Sequence, residues 1–398
     1  MPNPGQSSNN TIDRNSFHAN FVTSILVGQS YSTSGITFEG VVPSATVYQM
    51  PVWTSSQFLG ALDALKEQGV SVINYSGGTD PQAYSSHDAA VDNWLHNNNI
   101  TLVVAAGNSV SASSAGQSVT NRVSSPGNAY NAITVGAADT INANFTAKSS
   151  PYGMWVPTSS VTRGSSFISS NFQVAHKPDL VAPGVNMRCW DSTTGSLKYE
   201  NGTSLSAPLV TGVIAQMMQA NPALKTKSVS VKAKLLLAAN YAAINGGTYP
   251  HTNPALSDSM LKERSGAGLL DAKKAVATAL EGNSFGTYAS SVSGYTTNSR
   301  SYSGIRVLPG QKIRVAMVYE KAENVLLSNY TDDLDIKFTP AGTESYTYAR
   351  SISYHQNVEI FEYTNNTGVT IYGDLHIDRV SGNNTAITIY FSAAWQVS

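Results

Sequence analysis

Between about residues 40 and 280 the chain alternates short apolar runs with amphipathic stretches. The runs at 45–50, 70–75, 101–106 and 132–137 are brief, apolar and bounded by Gly, Asn or Ser, and they predict strands. The stretches at 57–68, 89–96, 205–219 and 231–243 space their apolar residues as helices do. Strands apolar on both faces, alternating with helices, predict a parallel α/β sheet covered by helices. The pattern changes near residue 282, where Gly282-Asn283-Ser284-Phe285-Gly286 forms a break. Beyond it the chain is rich in Ser, Thr, Tyr and Gly. Segments 312–320, 334–338, 358–363, 369–372 and 385–391 read as strands separated by turn residues such as Pro309-Gly310 and Gly382-Asn383. With no helix between them, they predict a smaller all-β sandwich of roughly 110 residues. The expected division is therefore 1–284 and 285–398.

Composition narrows the function. Of 398 residues, 41% are hydrophobic and 12% charged, and the formal net charge of −1 gives no basis for binding nucleic acid or an anionic membrane. No run of about 20 apolar residues is present to span a bilayer. Cys189 is the single cysteine, so no intrachain disulfide forms. The first ten residues, Met1 to Asn10, are polar and lack an apolar signal region. Low charge with 20 Tyr and abundant Ser, Thr, Asn and Gly suits an extracellular type of protein.

Chemistry concentrates in Asn201-Gly202-Thr203-Ser204-Leu205-Ser206-Ala207-Pro208, followed by an apolar helical run. A Gly-Thr-Ser turn entering a helix puts the Ser204 hydroxyl among unpaired N–H groups at the positive end of the dipole. There, a nucleophilic hydroxyl and the anion formed by its attack on a carbonyl are stabilised. The other reading of a Thr-Ser pair at this place is an ordinary N-cap. The octapeptide as a whole resembles the nucleophile segment of the subtilisin-like serine proteases.

That resemblance extends from about residue 13 to 280. His18-Ala19-Asn20-Phe21-Val22 falls where the family's catalytic histidine opens a helix, although Ala19 and Asn20 depart from the usual Gly and Thr. Val103-Val104-Ala105-Ala106-Gly107-Asn108 is similar to the strand and turn that present the oxyanion-hole amide. Ile73-Asn74-Tyr75-Ser76-Gly77-Gly78 is similar to the strand that pairs with a peptide substrate. The resemblance implies a subtilisin-like fold and a serine endopeptidase. In it Ser204 is the nucleophile, His18 the general base, and Asn108 the oxyanion donor. Ser76, Gly77 and Gly78 would face Ala105, Ala106 and Gly107 across a cleft for a polypeptide substrate. It also implies secretion, and no cofactor for the chemistry. The segments Asp332-Asp333-Leu334-Asp335-Ile336 and Asn357-Val358-Glu359 resemble the β-domain of some alkaline-protease relatives. Asp332, Asp333 and Asp335 are candidate ligands for a structural calcium ion, or a solvated turn.

One part of the family pattern is missing. The triad runs Asp, His, Ser, and the Asp closes an early sheet strand. Asp13 is the only carboxylate before His18, and it reads as a turn or cap residue. The expectation is a peptidase domain without its first strand. Three accounts are open: a truncated product, a processed chain with a separate N-terminal fragment supplying the strand, or a protein that has given up catalysis and binds peptides.

Overall fold

Four parallel strands, β3 (Val72–Tyr75), β4 (Thr101–Ala105), β5 (Ile133–Ala138) and β6 (Leu180–Pro183), lie side by side in that order. This is a computed structural model. It describes residues 17–33, 35–52, 54–79, 84–108, 123–138, 177–191, 194–241, 266–281, 284–285, 300–321, 333–352, 357–381 and 390–398.

The sheet is apolar on both faces because its strands put alternate residues on opposite sides. Leu102 and Val104 pack with Phe58 and Leu62 of α2 (Ser55–Glu67) and with Val91 and Leu95 of α3 (Ser86–Asn98). Val103 and Ala105 turn to the other face, against α4 (Thr203–Ala220) and α5 (Ser228–Ala238). Helix α3 starts at a capping box, in which Asp88 Oδ2 accepts the Ser85 N–H at 2.8 Å. Helix α1 (Phe17–Val27) packs on α4 through Phe21 and Ile25, which share an apolar cluster with Leu205 and Leu209. A short hairpin, β1 (Tyr31–Thr33) and β2 (Ile36–Phe38), follows α1. A second hairpin, β7 (Met187–Asp191) and β8 (Ser196–Glu200), leads into α4.

After α6 (Ala272–Leu280), two four-stranded antiparallel sheets face each other. One is ordered β10 (Arg300–Val307), β15 (Ile371–Ser381), β12 (Asp333–Pro340), β13 (Ala349–Ser351). The other is ordered β14 (Val358–Thr364), β11 (Lys312–Tyr319), β16 (Phe391–Val397), β9 (Ser284–Phe285). Their inner faces meet through Val315, Phe338, Phe361, Leu375 and Trp395. The outer face of the second sheet carries Ala316, Val318, Ile360 and Ala394 into the same apolar core as α4 and α5. All eleven residues of α5 are buried as a result.

Three expectations change. Segment 45–50 forms no strand. It takes no part in the ladder, because β3 pairs only with β4 among the described residues, and Val47 and Met50 are 43% and 41% exposed. An apolar run without a neighbour to share its N–H and C=O groups cannot make a strand. The strand expected at 369–372 runs instead over Ile371–Ser381. Its alternation of Leu375 and Ile377 inward with Asp374, His376 and Asp378 on the other face is a period-2 pattern that the charged residues obscured. The helix expected to reach 243 stops at Ala238, and Asn240 pairs with Leu269 in an antiparallel bridge. Residues 385–389, expected in a strand, lie outside the described residues.

Candidate active site

Helix α4 begins after Gly202, whose φ of 147° is open to glycine and not to residues with a Cβ. Thr203 follows and donates its N–H to Asn108 Oδ1 at 3.0 Å. Its hydroxyl accepts the Gly107 N–H at 3.1 Å. A main-chain N–H only donates, so the atom of the Asn108 amide facing Thr203 is its oxygen. The NH2 group is therefore turned the other way, toward Gly202, where a Cβ would sit 3.2 Å from Nδ2. Asn108 is exposed, and its amide oxygen is held at the start of the helix that carries Ser204. Gly107 has φ 101°, and a Cβ there would collide with Ser124.

Ser204 is the second residue of α4 and half-buried. Its hydroxyl donates to the Ser76 carbonyl at 3.3 Å, and the Ser76 hydroxyl donates to the Ser204 carbonyl at 2.8 Å. Nucleophile candidate and cleft strand are thus tied reciprocally. His18 stands at the exposed start of α1. Partial desolvation of its ring by the surroundings holds its pKa below the ordinary 6.5. Helix α1 meets α4 through the cluster of Phe21, Ile25, Leu205 and Leu209. Among the described residues, however, no hydrogen bond joins His18 to Ser204 or to a carboxylate. Asp13 lies outside the described residues.

The expected cleft walls differ in openness. Ser76 and Gly77 are half-buried and Gly78 is exposed at the end of β3. Ala105 and Ala106 are buried. Ala106 already spends its N–H on the Val135 carbonyl at 3.0 Å and its carbonyl on the Ser124 N–H at 2.9 Å. Gly107 gives its N–H to Thr203. Sequence reasoning missed three partners here: Thr203 as the anchor of Asn108, and Asn74 and Thr211, which bond to each other at 3.0 Å beneath the site.

Among the described residues no group of three His, Cys, Asp or Glu side chains is placed to hold a metal ion. Asp332 lies outside them. Burial raises Asp333 to about 6, and burial with the charges of Asp333 and Asp378 raises Asp335 to about 7. Cys189 is buried in the apolar contact between α1 and α4, where burial raises its thiol to about 12. It is packing, with no reactive thiolate.

A parallel sheet with helices on both faces, an Asn-bearing turn and a Gly-Thr-Ser helix start define the peptidase S8 architecture. Residues 2–268 match the model of the subtilase family, and the chain belongs to that family. It is 31% identical over 191 residues to M-protease of Shouchella clausii (strain KSM-K16), covering 46% of this chain and 40% of that protein. It is 29% identical over 206 residues to subtilisin DY of Bacillus licheniformis, covering 50% of this chain and 62% of that one. The matched part is thus less than two thirds of either relative. Among solved structures, the prenylagaramide maturation protease PagA aligns at 20% identity and a TM-score of 0.45, over 66% of this chain and 82% of its own.

Proposed function

We propose that this chain is the core of a secreted serine endopeptidase acting on polypeptides. In this reading Ser204 attacks the scissile carbonyl. His18 takes the hydroxyl proton and returns it to the leaving amine. Asn108 Nδ2 and the Ser204 N–H hold the oxyanion. A substrate strand lies along Ser76–Gly78. The observation that supports it most is the Asn108 amide, whose oxygen accepts the Thr203 N–H at the start of the helix that carries Ser204.

Catalysis of this kind needs a carboxylate behind the histidine. We propose that it comes on a separate N-terminal strand lying along the edge of β3 that no described strand pairs with. The Ser204 hydroxyl bonded to Ser76, and not to His18, favours a second reading. In that reading the chain binds peptides without cleaving them.

Fluorophosphonate labelling of the chain, with Ser204→Ala as control, separates the two. Labelling confined to Ser204 supports the peptidase. A rate equal to that of the Ala control leaves a fragment or a binding protein, and adding back an N-terminal strand that restores labelling marks the fragment.

A further inference from the structure

In an α-helix each carbonyl accepts the N–H four residues on. For Ser204 that residue is Pro208, which has no N–H, so the nucleophile's own carbonyl lacks its intrahelical partner. The Ser76 hydroxyl takes the vacant place at 2.8 Å. Ser76 Oγ in turn accepts from Asn74 Nδ2 at 3.0 Å. Asn74 Oδ1 accepts from the Thr211 hydroxyl, also at 3.0 Å. Thr211 is seven residues beyond Ser204 on α4, two turns along the same face. The chain of bonds therefore leaves the helix at Ser204, crosses to the end of β3, and returns to the helix at Thr211.

We propose that Asn74 and Thr211 are positioning residues which, through Ser76, brace the main chain of Ser204 in the place that Pro208 leaves open. The proposal rests on the reading of Ser204 as nucleophile. The donors balance: Ser76, Asn74 and Thr211 each give one hydrogen along the path, and each receiving oxygen takes one. Thr211 is 4% exposed, so without its hydroxyl Asn74 Oδ1 would lose a partner that water cannot easily replace. The hydroxyl has a second acceptor, the Ala207 carbonyl at 3.0 Å, so the Asn74 bond competes with a local one. The brace also separates two functions of one residue. The Ser204 main chain is held at 2.8 Å, while its hydroxyl rests on the Ser76 carbonyl at 3.3 Å, a long bond readily exchanged for another acceptor. A fixed backbone under a loosely held hydroxyl suits a group that must change partners during reaction.

The test compares Thr211→Val, which keeps shape and removes the donor, with Thr211→Ser, which keeps the donor. Ser206→Ala serves as comparator, because it deletes a buried hydroxyl of the same helix that bonds to the Ala182 and Pro183 carbonyls. Two readouts are taken on the full chain: fluorophosphonate labelling of Ser204 and amide hydrogen exchange of segment 72–79. Thr211→Val should slow labelling and speed exchange of 74–79, each about tenfold. Thr211→Ser should stay within about twofold of the parent. Ser206→Ala should lower Tm and change neither readout. A Thr211→Val protein that behaves like Ser206→Ala overturns the brace. If the parent chain does not label at all, the nucleophile reading fails, and the exchange comparison still decides whether the brace exists.

Discussion

Arg314 of β11 donates from Nη1 to Glu362 Oε1 of β14 at 2.7 Å, and from Nη2 to the carbonyls of Leu236 and Ala267 at 3.2 and 3.0 Å. One guanidinium thus fastens the second sheet to the end of α5. Both charged side chains are buried, with 7% of each exposed. A buried pair of this kind adds little over an apolar substitute, but losing one member strands the other.

Arg314→Met should therefore cost about 3–5 kcal/mol, since it leaves Glu362 buried and two carbonyls unpaired. Urea unfolding of the parent and variant measures this directly, and a loss below about 1 kcal/mol would show that Lys312 compensates. Burial alone would raise the Glu362 pKa. The adjacent Arg314 charge and the bonds from Arg314 and Lys312 outweigh burial and hold it below the ordinary 4.5. A carboxyl depressed in the folded state adds stability that is complete above its unfolded pKa and is lost as pH falls through the folded one. Stability should thus decline below about pH 4.5 in the parent, and less steeply in Glu362→Gln.

Lys232 carries a pH dependence of opposite origin. Its ammonium reaches Asp179 and the Tyr130 and Ala132 carbonyls, at 2.8 to 2.9 Å, in a fully buried site. Lys177 claims the same carboxylate at 2.8 Å, and one carboxylate neutralises one cation. Burial lowers Lys232 to about 7, only partly countered by Asp179. Between that value and 10.5 the unfolded chain binds the proton that the folded chain has lost, so stability rises with pH across this window. The contribution reaches at most about 1.4 kcal/mol per pH unit. Unfolding midpoints measured from pH 7 to 10 should rise in the parent relative to Lys232→Met. Parallel curves would refute the assignment.

Asn108→Ala should reduce the labelling rate of Ser204 about 10²–10³-fold if the amide holds the developing oxyanion. The side chain is exposed, so Tm should change little. Equal loss of stability and rate would instead mark Asn108 as a structural tie for α4.

Gly202→Ala puts a Cβ at a φ of 147° and against the Asn108 amide. Strain of about 1–3 kcal/mol is expected at such a backbone. Because the new methyl presses on the donor itself, labelling should fall more than the loss of Tm explains.

Much of this architecture could be read from the chain. The sheet strands Thr101–Ala105 and Ile133–Ala138 are uninterrupted apolar runs, and α4 has a glycine entry and a long apolar stripe. The Gly-Thr-Ser entry into α4, the Asn108 turn after β4 and the helix that begins beside His18 were legible because each is a local pattern. Ser76, Asn74 and Thr211 were not legible as a set, since bonds spanning 128 and 137 residues leave no local trace. Segment 45–50 shows the converse: local apolarity suggested a strand, but strands exist only in pairs. The polar alternation of Ile371–Ser381 hid a strand for a related reason. Its outer face carries His376 and Asp374, which are buried yet charged or polar and find partners in Thr339, Gly304 and Gly342.

Because Ala316, Val318, Ile360 and Ala394 belong to the core around α4 and α5, the second carboxyl-terminal sheet is a wall of the core that seats the helix carrying Ser204. A chain shortened to residues 1–284 would bare that wall, turning the covered side of α5 into a sticky surface. Attempts to express residues 1–284 alone should yield aggregates, and a protease nicking the connection should leave both pieces travelling together on a sizing column.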